Sequence, residues 1–184
     1  QRLLPLCAQL LQDAGLAFSD LDLIGMGAGP GAFTGLRTAA SVAQGLAFGL
    51  DLPVARVDTL LAQAETAFPL LNADGTACPE PTEAVPGNVV LVANDARMDE
   101  VYWEMVMADA QGWVVLHGPA VHAPEQAILG WAEVLAGLPE HAATGALPRV
   151  LACGNAWGEH ADALSAVFAT QMGDSPRLAT LRRA

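Results

Sequence analysis

Apolar side chains at Leu3, Cys7, Leu10 and Ala14 recur every three or four positions, a period that predicts a helix over 1–14 with one apolar stripe. A short apolar run over 21–27 predicts a strand. A small-residue helix is expected over 34–49, a strand over 53–57 and a helix over 59–68. Helices alternating with strands point to an α/β layer with parallel pairing. From 69 to 87 the chain has four prolines and no periodicity, which predicts a linker. A continuous apolar strand over 88–94, a charged turn over 95–99 and an alternating strand over 100–107 then predict a hairpin. Strands over 113–116 and 150–153 and helices over 124–136 and 161–168 complete the pattern. The expected organisation is α/β with a first lobe at 1–68, a linker at 69–87 and a second lobe at 88–184.

The transition from the first strand to the small-residue helix carries five glycines in eleven residues: Gly25, Gly27, Gly29, Gly31 and Gly35. A strand handing over to a helix N-terminus is an anion site in principle, because unpaired N–H groups and the positive end of the helix dipole converge there. A phosphate-binding P-loop needs a lysine after its second glycine, and the chain has no lysine. The looser dinucleotide pattern fits as Gly27-x-Gly29-x-x-Ala32, with Asp51 or Asp58 as the ribose acid. Pro30 removes a backbone donor from that turn. The other explanation for the glycines is close packing of helix on sheet. Thr34 is the expected N-cap. Ala39, Ala40, Ala43, Gly45, Ala47 and Gly49 give the helix so little bulk that another helix can approach it closely.

A net charge of -12, with eight arginines supplying all the Lys and Arg, argues against a broad basic surface for nucleic acid, so RNA contact is expected only through a partner. Cys7, Cys78 and Cys153 are far apart and odd in number, which suggests free thiols in a reducing cytosol. His117, His122, His141 and His160 show no ligand spacing, so no metal is assigned. No apolar stretch approaches the roughly 20 residues of a membrane span. The chain opens at Gln1 inside its first apolar stripe, which reads as a fragment lacking its beginning. No serine stands in a Gly-x-Ser-x-Gly elbow. Asp95, Asp99 and Glu100, with Arg97 among them, are the candidate carboxylates; they form either a solvated turn or, at Asp95, a fixed ion pair with Arg97.

Gly29-Pro30-Gly31-Ala32-Phe33-Thr34-Gly35-Leu36-Arg37, the run Ala43-Gln44-Gly45-Leu46-Ala47, and Asp95-Ala96-Arg97-Met98 followed by Glu100-Val101-Tyr102 together resemble the bacterial TsaB family, also called YeaZ. Ala32 departs from the family's usual serine. The resemblance implies an actin-like, two-lobed fold of the sugar kinase, heat-shock ATPase and actin superfamily with ribonuclease-H-like lobes, here truncated at the N-terminus and at the C-terminus. It implies a non-catalytic role in making the threonylcarbamoyladenosine modification of tRNA, in the cytoplasm, with self-dimerisation or pairing with a TsaD-like transferase subunit and a TsaE-like ATPase. No resident cofactor follows from it, and ATP or ADP is admitted only at an inter-subunit or inter-lobe region. The alternatives are an ATPase-like nucleotide-binding protein and the M22-type glycoprotease of older naming.

On this view Leu3, Cys7 and Leu10 of the first helix and Phe33, Thr34, Leu36, Arg37, Ala40, Ala43 and Gln44 of the second are the partner-binding residues. Gly27, Gly29, Pro30, Gly31 and Gly35 form the loop that turns strand into helix. Asp95, Arg97, Glu100 and Tyr102 form the family-signature hairpin.

Overall fold

The computed structural model describes residues 3–67, 88–109, 111–138 and 150–164. The expected linker at 69–87 and the last helix beyond 164 lie outside the described residues. The chain divides into two compact units, Gln1–Thr59 and Leu60–Ala184.

In the first unit α1 (Leu3–Asp13) leads through a short 3-10 turn at Phe18–Asp20 to β1 (Ile24–Gly27), α2 (Phe33–Leu50) and β2 (Val54–Val57). The two strands pair in parallel from Ile24↔Val54 to Gly27↔Val57, as a strand–helix–strand crossover requires. Along β1, Ile24 and Met26 are half-buried while Gly25 and Gly27 are exposed, the period-two signature of a strand covered on one face. The helix begins one residue before the expected start, with Ala32 rather than Thr34 at the N-cap and no side-chain cap. Thr34 therefore lies within the first turn, where its carbonyl accepts a bond from Thr38 Oγ1 at 2.9 Å. At the other end Asp51 takes a left-handed φ of 54° and its N–H returns to the Ala47 carbonyl, stopping the helix.

In the second unit four strands are ordered β5-β4-β3-β6: β3 (Val89–Arg97), β4 (Glu100–Asp109), β5 (Gly112–His122) and β6 (Val150–Cys153). The β3–β4 and β4–β5 pairs are antiparallel, and β3–β6 is parallel. Helix α4 (Pro124–Ala136) starts with Pro124 in its first turn, where a missing N–H costs nothing. One sheet face buries Val89, Leu91, Trp103 and Met105 with Ile128, Trp131 and Leu135 of α4. The opposite face buries Val90, Val92, Val106 and Leu151 with Leu60, Ala64 and Ala67 of α3 (Thr59–Ala67). Both faces being covered explains why β3 and β6 read as unbroken apolar runs.

Helix α3, grouped with the first lobe at 1–68 in the sequence reading, thus has its buried face in this second core. Strand β5 is longer than the expected 113–116 and runs through Gly118 and Pro119. Register shifts between Trp103 and Val106 of β4 accommodate that passage.

Candidate functional site

Three places hold the residues singled out by sequence: the faces of α1 and α2, the glycine loop between β1 and α2, and the hairpin at the end of β3. On α2 the exposed side carries Phe33, Arg37, Ala40, Gln44 and Phe48, spaced by four, three, four and four residues along one helical face. That stripe covers about 22 Å at 1.5 Å per residue. Phe33 is 65% and Phe48 91% exposed, with small or flexible residues between them. The Arg37 guanidinium carbon lies 3.9 Å from the Phe33 ring centroid, a cation–π contact that orders both side chains in the first turn.

Two of the expected contact residues turn the other way. Ala43 is the one buried residue of α2, and half-buried Leu36 lies over the glycine loop, its Cδ1 3.1 Å from where a Cβ on Gly29 would stand. Helix α1 buries none of its residues fully. Leu3, Leu4, Leu6 and Leu10 are 41%, 48%, 56% and 68% exposed. An apolar groove of about 440 Å³, lined by Leu3, Cys7, Leu10, Ile24, Val42 and Leu46 among others, lies between α1, β1 and α2. A second groove of about 410 Å³ is lined by Met26, Ala40, Ala43, Gln44, Phe48 and Val54.

The glycine loop is tied into the sheet. Ala28 N–H donates to the Val57 carbonyl at 2.8 Å, and Thr59 N–H donates to the Gly29 carbonyl at 3.0 Å. Gly29 is buried with φ 95°, a conformation in which glycine avoids the Cβ clash. The loop therefore locks the end of β2 to the start of α2. Gly27, Gly31 and Gly35 have no neighbour closer than 3.9 Å to an added Cβ, so their demand is not steric crowding.

At the hairpin, β3 makes a bulge at Ala96, because Asp95 pairs with Val101 while Arg97 pairs with Glu100. Arg97, Met98 and Asp99 all have positive φ, at 68°, 53° and 58°. Such conformations cost non-glycine residues about 1–2 kcal/mol each, so surrounding bonds must hold them. Asp95 Oδ1 accepts from the Arg97 backbone N–H at 3.1 Å and lies 3.1 Å from His160 Nε2. The Asp95 N–H donates to Asn155 Oδ1 at 2.9 Å. Asn155 N–H donates to Asn94 Oδ1 at 3.2 Å, and Asn94 Nδ2 to Gln63 Oε1 at 2.9 Å.

Partial burial raises the Asp95 pKa. The Arg97 N–H, the His160 hydrogen bond and the charges of Arg97 and His160 outweigh it and hold the carboxyl below its usual value. Glu100 and Tyr102 follow on β4, both half-buried, with Tyr102 packed against the core on the α3 side.

Sequence reasoning brought Asp95 and Arg97 together, and they form an ion pair at 3.8 Å. It missed Asn94, Asn155 and His160, which complete the network. The available signal was Gly154-Asn155 directly after a buried strand. Gly154 has φ 107° and a Cβ there would lie 2.1 Å from the Ala93 carbonyl oxygen, so only glycine brings Asn155 this close to β3.

The family model described as TsaD, tRNA N6-adenosine threonylcarbamoyltransferase, matches residues 1–170. The tRNA threonylcarbamoyladenosine biosynthesis protein TsaB of Haemophilus influenzae is 38% identical over 136 residues, covering 70% of this chain and 52% of the relative. The Escherichia coli protein of the same name is 37% identical over 123 residues, covering 67% and 46%. The chain thus spans about half the length of the curated relatives it matches.

The solved structure of YeaZ from Pseudomonas aeruginosa aligns with a TM-score of 0.62 at 35% identity, covering 88% of this chain and 64% of that one. A second structure, an uncharacterized protein with similarity to peptidase YeaZ from the same organism, aligns at 0.62 and 33% identity, covering 95% and 77%. The fold is an actin-like α/β fold. With a family model matched along nearly its whole length and YeaZ structures at a third identity, the chain belongs to the TsaD family and, within it, to the TsaB/YeaZ group.

Proposed function

We propose that this chain serves the biosynthesis of threonylcarbamoyladenosine in tRNA as a scaffold subunit, binding a TsaD-type transferase through the outward faces of α1 and α2. The observation that carries this reading is the apolar surface those helices leave to solvent: Leu6, Leu10, Phe33 and Phe48 are all more than half exposed. An exposed apolar surface of this extent on a globular chain marks an interaction site. Small residues at Ala40 and Ser41 let a partner helix approach the middle of α2, while Phe33 with Arg37 at one end and Phe48 at the other act as anchors. The net charge of -12 favours reaching tRNA through the complex rather than directly.

The names of the relatives supply the pathway, and the loop and hairpin bonds supply a structural role for the motif residues. Co-purification of the full chain with a TsaD-type subunit tests the reading. Ala40→Arg and Phe48→Asp, both at exposed positions, are expected to abolish the complex while leaving the circular dichroism spectrum unchanged. If both variants still co-purify at wild-type yield, the surface is wrong.

A further inference from the structure

The hairpin tip combines two properties that turning the chain does not require. A two-residue loop with positive φ at both positions is best served by Asn-Gly, yet here it is Met98-Asp99, preceded by Arg97 in the same conformation. These residues expose a thioether side chain and a guanidinium together: Met98 is 87% exposed and the Arg97 side chain 88%. The base of the tip is held by Asn155 and His160, which follow β6, the neighbour of β3, and lie 60 and 65 residues away from the Asp95 they bind. A contact element so restrained loses little conformational entropy when it docks.

We propose that the Arg97–Met98 tip is a second contact with the TsaD-type subunit, the thioether entering an apolar socket and the guanidinium meeting a carboxylate of that protein. The inference rests on the proposed function above. Arg97 is the only Lys or Arg among the described residues of the second unit, in a chain of net charge -12, so it is the point there complementary to an acidic group. A protein fits the tip better than nucleic acid. Asp95 lies 3.8 Å from the guanidinium, and Asp99 and Glu100 stand within three residues of Arg97 on the same hairpin, so the tip repels phosphates, and methionine offers no plane on which a base can stack. The Arg97–Asp95 pair at 3.8 Å, exposed on the arginine side, does little to hold the guanidinium back from a partner.

The test is the affinity of the full chain for a purified TsaD-type subunit, by calorimetry, for wild type, Met98→Asn and Arg97→Asn. Asparagine adopts positive φ more readily than either native residue, so the hairpin is retained, and tryptophan fluorescence confirms it. Each variant is expected to weaken binding at least tenfold. Affinities within twofold of wild type, with wild type binding, overturn the tip contact and leave the helix surface standing. Failure of wild type to bind overturns both. If Arg97→Asn leaves that affinity unchanged and instead reduces binding of free tRNA, the tip is a nucleic-acid contact and the proposal falls.

Discussion

Substituting Gly154 by alanine tests whether the β6 turn holds the hairpin network together. An added Cβ would stand 2.1 Å from the Ala93 carbonyl oxygen and 2.8 Å from Asn94 Oδ1, where contacts under 3.0 Å essentially never occur. Roughly 1 Å of movement is needed, and both groups it must displace belong to β3, the parallel partner of β6. The φ of 107° adds about 1–2 kcal/mol for a residue with a Cβ. Moving the turn breaks the Asn155–Asn94 and Asp95–Asn155 bonds, each contributing about 1 kcal/mol. The expected loss is about 3–4 kcal/mol.

Urea unfolding followed by tryptophan fluorescence reads this directly, because all four tryptophans, Trp103, Trp113, Trp131 and Trp157, belong to the second unit. With a slope of about 2 kcal/mol per molar urea, the midpoint should fall by about 1.5–2 M. Gly158→Ala, where an added Cβ meets nothing within 4 Å, is the control and should change stability by less than about 1 kcal/mol. A loss below about 1 kcal/mol for Gly154→Ala, or an equal loss in the control, refutes the reasoning.

Gly130→Ala drives a Cβ to 2.9 Å from Cζ2 of fully buried Trp103, so thermal denaturation should show a net loss of about 1–3 kcal/mol despite alanine's helix preference; an unchanged or raised Tm contradicts this. The depressed Asp95 pKa contributes stability that is present above the unfolded-state value and lost as pH falls through the folded one. Asp95→Asn should therefore flatten the acid limb of the stability curve below about pH 4, and parallel acid limbs for variant and wild type count against it. Burial raises the Cys153 thiol to about 11, so its thiolate at pH 8 should be about a hundredfold scarcer than an ordinary cysteine's. Iodoacetamide labelling read by mass spectrometry should modify Cys7 well before Cys153 unless the chain is first unfolded. By the same shift, the contribution of Cys153 to stability is fully present below the unfolded thiol pKa and is lost as pH rises from there through about 11.

The local elements were legible because their signals lie between near neighbours. Pro124 followed by apolar residues at Ala127, Ile128, Trp131 and Leu135 marks α4 by its period, and the unbroken run Val150 to Cys153 marks a strand buried on both faces. The same local motifs, Gly29 to Arg37 and Asp95 to Tyr102, sufficed to place the chain in its family. Local cues misled where a long-range partner overrode them. Thr34 resembled an N-cap, but Ala32 takes that position. The strand expected over 113–116 is carried on to His122 by its pairing with β4.

The sequence by itself determined the order and type of most elements, the glycine turn into α2 and the hairpin. Tertiary structure alone decided which helix faces stay in solvent, that α3 buries Leu60, Ala64 and Ala67 against the four-stranded sheet, and that Asn155 and His160 hold Asp95. The reason is physical: helical and strand periods are written in residues a few positions apart, whereas the 60-residue separations of the hairpin network close only when β3 and β6 pair in register.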